Sequence, residues 1–278
     1  MNNGTLYIVA TPIGNLSDIT ERAIATLKSV TVIACEDTRT SGKLLNYFNI
    51  TTPTIAYHEH NADSQTTKII ERLQRGESVA LISDAGTPLV SDPGFRLVKA
   101  AHEADLTVVP IVGACAMIAA LSAAGLPSDK FSFIGFLPAR THGRIKTLDE
   151  WANRAETLIF YEAPHRINES LTDMVAVFGT DREAALCREL TKTFETIKKL
   201  PLGELLDFVK NDGNQQKGEI VLVVAGKDND AQTPEDYDAW LSRIAQDLPP
   251  KKAAAIVADV LGLKKSAVYD RLLELQKA

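Results

Sequence analysis

The sequence is poor in the residues that build metal, redox and disulfide sites. Its 278 residues hold three cysteines, three methionines and two tryptophans. Cys35, Cys115 and Cys187 stand far apart, without the paired spacing of a zinc ribbon or redox motif, and read as reduced, small apolar residues. Of five histidines only His58 and His60 are close neighbours. In an extended segment a two-residue spacing points both rings the same way, so they read as a polar surface strand or a substrate-facing loop, and no metal is expected. Long apolar runs are missing too. The opening Met-Asn-Asn-Gly-Thr leads into only five or six apolar residues, and neither a secretory leader nor a membrane span is expected there or elsewhere. The expected location is cytoplasmic, with no membrane partner. No stretch is polar or repetitive enough for a long disordered tail, and the G-x-G-x-x-G dinucleotide fingerprint is absent.

Positive charge is also in short supply. The net charge of −6 argues against a protein that coats nucleic acid nonspecifically. The sign is uneven, however: from Pro249 onward six basic residues face three acidic ones, so this end carries +3 and the remainder −9. A basic appendage sits on an acidic body.

What the chain has in quantity is alternation. Short β-branched runs at Leu6–Ala10, Val30–Cys35, Val79–Ser83, Leu106–Ile111, Phe131–Phe136, Thr157–Tyr161, Glu183–Arg188 and Glu219–Ala225 alternate with amphipathic stretches. This predicts an α/β protein with largely parallel sheets. Asp18 with Glu21 forms a capping-box pattern, Asp92-Pro93 offers a second helix start, and Gly76 and Gly179 sit where helices should stop. The segment 114–124 is almost wholly apolar or small, which predicts a helix buried on all sides between two lobes. The expected division is an N-terminal α/β domain over 1–113, a C-terminal α/β domain over 114–226, an acidic linker over 227–236 and a helical domain over 237–278. In that last domain Ala254, Val257, Ala258 and Leu261 share one face, and Val268, Leu272 and Leu275 another. Two short helices joined near Gly262 suggest a helix-turn-helix, which serves either nucleic-acid contact or packing.

Open α/β sheets bind ligands outside the carboxyl ends of their strands. Three loops there are unusual. Ala10-Thr-Pro-Ile-Gly-Asn15 combines a rigid proline with a permissive glycine, Asp84-Ala-Gly-Thr-Pro-Leu-Val-Ser-Asp-Pro-Gly94 is a stiff loop suited to the polar parts of a ligand, and Val112-Gly-Ala-Cys-Ala116 offers only tiny side chains beside a flat ring.

Together with Glu36-Asp-Thr-Arg39, Gly125-Leu-Pro-Ser-Asp129, Gly135-Phe-Leu-Pro138, Phe160-Tyr-Glu-Ala-Pro-His-Arg166, Arg188-Glu-Leu-Thr-Lys192 and Lys217-Gly-Glu219, the first two of these loops give the chain its resemblance to the tetrapyrrole methylase family. Within it the chain resembles the branch that methylates a ribose 2′-hydroxyl of small-subunit ribosomal RNA. The helical end with Lys251-Lys252 fits that branch. The resemblance covers nearly the whole chain. It implies a homodimer of two-lobed α/β subunits that bind S-adenosylmethionine in the cleft between lobes and methylate a cytidine of 16S RNA in the assembled 30S subunit. By matching positions the cofactor should touch Pro12, Asp84, Gly86, Thr87, Pro88, Leu89, Val90, Cys115, Ala116, Tyr161 and Leu190. Val112 and Ala114 stand where the family's loop carries two prolines, which leaves this backbone less fixed.

A ribose hydroxyl is a weak acid and needs a proton acceptor. Glu36 and Asp37, beside Arg39, are the candidates; the alternative is an ion-paired turn or a helix cap. Lys192 is a further catalytic candidate, as a phosphate anchor or as a base with a lowered pKa. RNA phosphates call for positive groups, and Arg39, Arg140, Arg144, Lys146, Arg166 and Lys192 lie near the expected cleft. The segment Pro138–Arg144 reads as a mobile basic loop able to close over RNA, and His58, Glu59 and His60 as lining the same opening. Two rivals remain: a tetrapyrrole C-methyltransferase of the same fold, and a non-catalytic nucleic-acid-binding regulator.

Overall fold

A computed structural model describes residues 3–227, 235–261 and 263–276, so residues 228–234 of the expected linker and the Gly262 turn lie outside the described residues. The first lobe runs β1 (Thr5–Val9), α1 (Glu21–Ser29), β2 (Val32–Cys35), α2 (Thr38–Tyr47), β3 (Thr54–Ala56), α3 (Ala62–Gln74), β4 (Val79–Ile82), α4 (Phe95–Glu103) and β5 (Thr107–Ile111). Every residue of β2 and β4 is buried, because their all-apolar sequences need cover on both faces. They accordingly lie inside a fully parallel sheet of order β3-β2-β4-β1-β5. Leu6, Leu81 and Leu97 fill the core on one face, and Val9, Ile33 and Ile82 the core on the other.

The second lobe follows as α5 (Ala116–Ala123), β6 (Phe131–Phe136), α6 (Thr141–Trp151), β7 (Thr157–Glu162), α7 (Ile167–Phe178), β8 (Glu183–Arg188), β9 (Thr196–Pro201), α8 (Leu202–Asn211) and β10 (Ile220–Val224). Here the expectation of a largely parallel sheet is corrected. The order is β6-β7-β10-β8-β9, and only β6 and β7 run parallel; the other three pairs are antiparallel. The reason is β9, a short return from β8 whose lysines mark an exposed edge rather than an alternating strand. Phe160, Leu186 and Leu222 are fully buried at the centre of this lobe, where each such side chain contributes roughly 1.5–3 kcal/mol of transfer free energy.

Gly76 and Gly179 follow α3 and α7 with φ of 88° and 90°, as helix-stopping glycines should. Two helix starts differ from expectation. Thr20, not Asp18, caps α1: its hydroxyl accepts from the Ala23 amide at 3.1 Å, while Asp18 ends a separate 3-10 turn. α4 begins after Gly94 rather than at Asp92-Pro93. α5 is also not enclosed all round. It lies on β7 and β10, burying Ala120 and Leu121, and leaves Ile118 47% exposed.

Both lobes belong to one compact unit ending at Gly226. A second unit holds α9 (Glu235–Asp247), α10 (Pro250–Leu261) and α11 (Lys265–Leu275), packed around Tyr237, Leu241, Ala254, Val257, Val268 and Leu272. Arg271 ties α11 to α9 through Asp238 at 2.7 Å. Among the described residues no helix is long and apolar enough to cross a membrane.

Candidate active site

The loops that follow β1, β4 and β5 are bound to one another. Thr11 and Gly86 exchange backbone hydrogen bonds of 2.9 and 3.0 Å, and the Thr87 hydroxyl donates to the Ala114 carbonyl at 3.0 Å. The β4 loop is wound tightly: Gly86, Leu89, Ser91 and Gly94 all have positive φ, between 63° and 142°. For Leu89 and Ser91 this is an unfavourable backbone state, the kind of strain that persists where surrounding contacts enforce it.

Across from these loops stand the ends of β6, β7 and β8 and the start of β10. Between the two sets lies a cavity of about 350 Å³, within the range of small-molecule sites. Gly86, Thr87 and Val90 form one wall, Cys115 and Ala116 the next, and Tyr161, Leu190 and Val221 the far side. Small residues at 115 and 116 leave the first turn of α5 open, and Cys115 makes no side-chain cap. The Met117 amide donates to the Tyr161 hydroxyl at 3.2 Å, and the remaining first-turn amides are donors for a polar or anionic ligand end. Burial, the charge of Cys115 and then Asp92 raise the Tyr161 phenol to about 12, so it stays protonated. Burial does the same to Cys187, raising its thiol to about 12 and leaving it an inert wall. Among the described residues no cluster of three or more His, Cys, Asp or Glu is placed to hold a metal ion.

The expected cofactor residues fall into two groups. Gly86, Thr87, Val90, Cys115, Ala116, Tyr161 and Leu190 line the cavity. Pro12, Asp84, Pro88 and Leu89 belong to the same loops but not to the wall: Pro12 and Pro88 are buried, Leu89 packs into the first-lobe core, and Asp84 accepts from the Asp37 amide at 3.2 Å. Residues beyond the expected set also line it, among them Ile13, Asp92, Phe136, Glu162, Gly218 and Glu219. Most of these sit beside an expected residue or inside a quoted motif, so adjacency was the available signal.

Glu36 and Asp37 follow β2 beside Asp84, and neither belongs to the cavity wall. Burial first, then the charges of Asp84, Asp92 and Asp37, push the Glu36 carboxyl above its ordinary range. Asp37 goes the other way, to about 2, because the Arg39 side chain and amide bind its carboxylate. It also caps α2. Asp37 is therefore the ion-paired cap that was the alternative reading, and Glu36 is the more basic of the two carboxylates.

Lys192 does not have the lowered pKa expected of a base. Burial pulls its ammonium down, but hydrogen bonds to Glu189 at 2.8 Å and Glu219 at 2.9 Å carry the net shift upward. Gly218 makes this possible, since a Cβ there would lie 2.4 Å from the Glu189 carboxyl.

The basic residues separate by burial. Arg39 and Arg140 are exposed. Arg144, expected on a mobile RNA loop, is wholly buried in α6, with Nε 2.6 Å from Asp173 and contacts to Thr141 and the Ala139 carbonyl. Sequence alone could not show this, because its partner is 29 residues away. Arg166 is mostly committed as well: it donates to the buried Glu162 at 2.7 Å and to the Leu137 carbonyl at 2.8 Å. Glu162 is completed by the Ala163 amide and the Ser170 hydroxyl. His58 lies in a turn held by Asn61, not in a strand, with its ring 6.0 Å from that of His60.

A fully parallel sheet and a mixed one that together wall a cavity with strand-end loops define the methylase class, and the chain belongs to the family of tetrapyrrole (corrin/porphyrin) methylases, matching it over residues 5–206. Members of this family depend on S-adenosylmethionine. Residues 231–276 match a second family, described as the RsmI C-terminal HTH domain. Along its length the chain is 53% identical to the ribosomal RNA small subunit methyltransferase I of Pseudomonas aeruginosa, covering 99% of both chains. It is 54% identical to the protein of that name from Vibrio cholerae, covering 97% of this chain and 94% of the other. Among solved structures it is similar in fold to a diphthine synthase (TM-score 0.62, 17% identity, 81% of this chain and 90% of that one). A cobalt precorrin-4 methyltransferase gives a TM-score of 0.59 at 15% identity, with 79% and 94% covered.

Proposed function

We propose that this chain transfers a methyl group from S-adenosylmethionine to the ribose 2′-hydroxyl of a cytidine in 16S ribosomal RNA, acting in the cytoplasm on the assembled 30S subunit. The observation that carries the reading is similarity at 53% identity over 99% of both chains to a small-subunit RNA methyltransferase, with the helical end included. The domain limits expected above, at 113/114 and over 227–236, go with this reading. So does a homodimer, which the exposed apolar side chains Val112 and Ile118 favour.

The cavity fits the cofactor in character: small side chains and free backbone donors on one side, an aromatic and aliphatic wall on the other. Gly86, Thr87, Val90, Cys115, Ala116, Tyr161 and Leu190 would hold it, and when bound it supplies an electrophilic methyl. The protein's task is then to fix the sugar oxygen within about 3–3.5 Å of the methyl in line with the bond that breaks. Glu36, with its raised carboxyl pKa, accepts the hydroxyl proton as the new bond forms. Lys192, held charged by Glu189 and Glu219, and exposed Arg39 and Arg140 face the RNA phosphates, while Asp37 keeps Arg39 in place.

The test is transfer of labelled methyl to small subunits from cells lacking the gene, with the modified ribose mapped by resistance to alkaline cleavage. Label in RNA at such a site is expected. Absence of RNA label, or label in a porphyrin pool instead, rejects the proposal.

A further inference from the structure

β6 carries an irregularity that the fold itself does not need. Its pairing with β7 is regular at Phe131, Ser132 and Phe133, which stands opposite Ile159; the register then slips, so that Gly135 faces Phe160 and Phe136 faces Tyr161. Ile134 is the extra residue. Gly135 makes the bulge, at a φ of 75° that a side chain would strain. The consequence is a change of face. Strict alternation would put Phe136 on the side of Ile134, which packs with Leu137 and Phe160 in the helix-covered core. The bulge instead brings it round to the side of Phe133 and Tyr161, whose rings meet edge to face at 4.8 Å.

There Phe136 lines the cavity, with its ring 5.7 Å from that of Tyr161, and yet remains 57% exposed. An aromatic ring left open to water at a cavity wall forgoes burial that the opposite face of the same strand offered. The loss makes sense if a ligand covers the ring.

We infer that Phe136 is a substrate-binding residue: a platform on which an unpaired RNA base stacks, so that the attached ribose is presented at the cavity. This rests on the reading of the protein as an RNA methyltransferase. The occupant is argued from three observations. The ring is continuous with the cavity wall; Tyr161 braces it from the side, so its orientation is set before binding; and Arg140, four residues further on, is an exposed cation for an adjoining phosphate. Stacking on a rigid ring is how proteins hold a base extruded from its helix, because every base offers a flat face.

The test compares wild type with Phe136→Ala, Phe136→Leu and Phe136→Trp in methyl transfer to small subunits. KM for the RNA substrate, kcat, affinity for S-adenosylmethionine and molecular mass in solution are measured for each. Phe136→Ala and Phe136→Leu should raise the KM for RNA roughly 10- to 100-fold, the range expected for one lost base stack. Phe136→Trp should retain most of the wild-type value, and cofactor affinity and mass should not change. An unchanged RNA KM in Phe136→Ala, with wild type active, overturns the inference and leaves the reading of the enzyme intact. Weakened cofactor binding would assign the ring to the cofactor's own seat, and an altered mass would assign it to a subunit interface; either overturns it. A wild-type protein that labels no RNA removes the underlying reading itself.

Discussion

Lys192 passes directly over Gly14: a Cβ at that glycine would lie 2.4 Å from Cγ of the lysine and 2.9 Å from its Cε. Gly14 belongs to the loop after β1 and Lys192 to the loop after β8, so this contact joins the two lobes beside the cavity. Because the obstruction reaches Cγ, not only the flexible tip, Gly14→Ala should force the lysine away from Glu189 and Glu219. Overpacking of this kind costs about 1–3 kcal/mol. The expected result in urea unfolding is a loss of that order, together with weaker cofactor binding. In a Lys192→Ala background the same glycine change should cost less, which a double-mutant cycle reads.

Glu36 should set the lower limb of the pH–rate profile. Its folded pKa lies above the ordinary carboxylate value, so activity should fall as pH drops through that raised value and the base takes up a proton. Glu36→Gln should lower kcat by about 10²–10⁴-fold and abolish that limb, leaving cofactor affinity unchanged. Asp37→Asn should keep the limb. An intact limb in Glu36→Gln would assign the proton to another group.

The same group has a stability consequence of opposite sense. A carboxyl whose pKa is raised on folding favours the fold while protonated and loses that contribution as pH rises through the folded pKa. Glu36→Gln, which relieves burial of the charge and its repulsion by Asp84, Asp92 and Asp37, should therefore melt higher than wild type at pH 7, with the gap closing toward pH 4. A variant that melts lower at neutral pH would contradict the electrostatic account.

Arg144 and Arg140 should behave as different kinds of residue. Removing buried Arg144 leaves Asp173 with an uncompensated charge in a nearly closed site, a loss of about 3–5 kcal/mol. Replacing both members by apolar residues of similar size should recover much of it. Arg140→Ala should leave unfolding unchanged, weaken RNA binding and reduce the slope of log affinity against log salt by about 1. Equal salt effects for both arginines would remove the distinction.

How far these features could be read from sequence depended on how local their causes are. The all-apolar runs of β2 and β4 declare a buried parallel sheet by themselves, and the glycines at 76 and 179 declare helix ends. β3 and β9 escape because both are edges: one has three residues and the other an exposed lysine pair. Composition showed α5 to be apolar but not which side of it would meet β7 and β10. Glycine, proline and small residues marked the 84–94 and 112–116 loops as ligand-facing, and the family resemblance picked out Gly86, Thr87, Val90, Cys115 and Ala116 within them, all of which line the cavity. The fate of the arginines was hidden, for Asp173 and the Leu137 carbonyl become neighbours only through tertiary packing. The turn of Phe136 toward the cavity was hidden too, because a one-residue slip in register leaves no mark beyond a glycine.

The central claim is a methyl donor seated against the small residues at the start of α5. Calorimetric titration with S-adenosylmethionine tests it most directly, using wild type and Ala116→Leu, in which the added side chain would occupy the cavity wall. Saturable binding at one site per chain in wild type, lost or greatly weakened in Ala116→Leu with unfolding unchanged, is the expected result. No heat of binding in wild type even with small subunits present, or equal affinity in both proteins, would contradict the account.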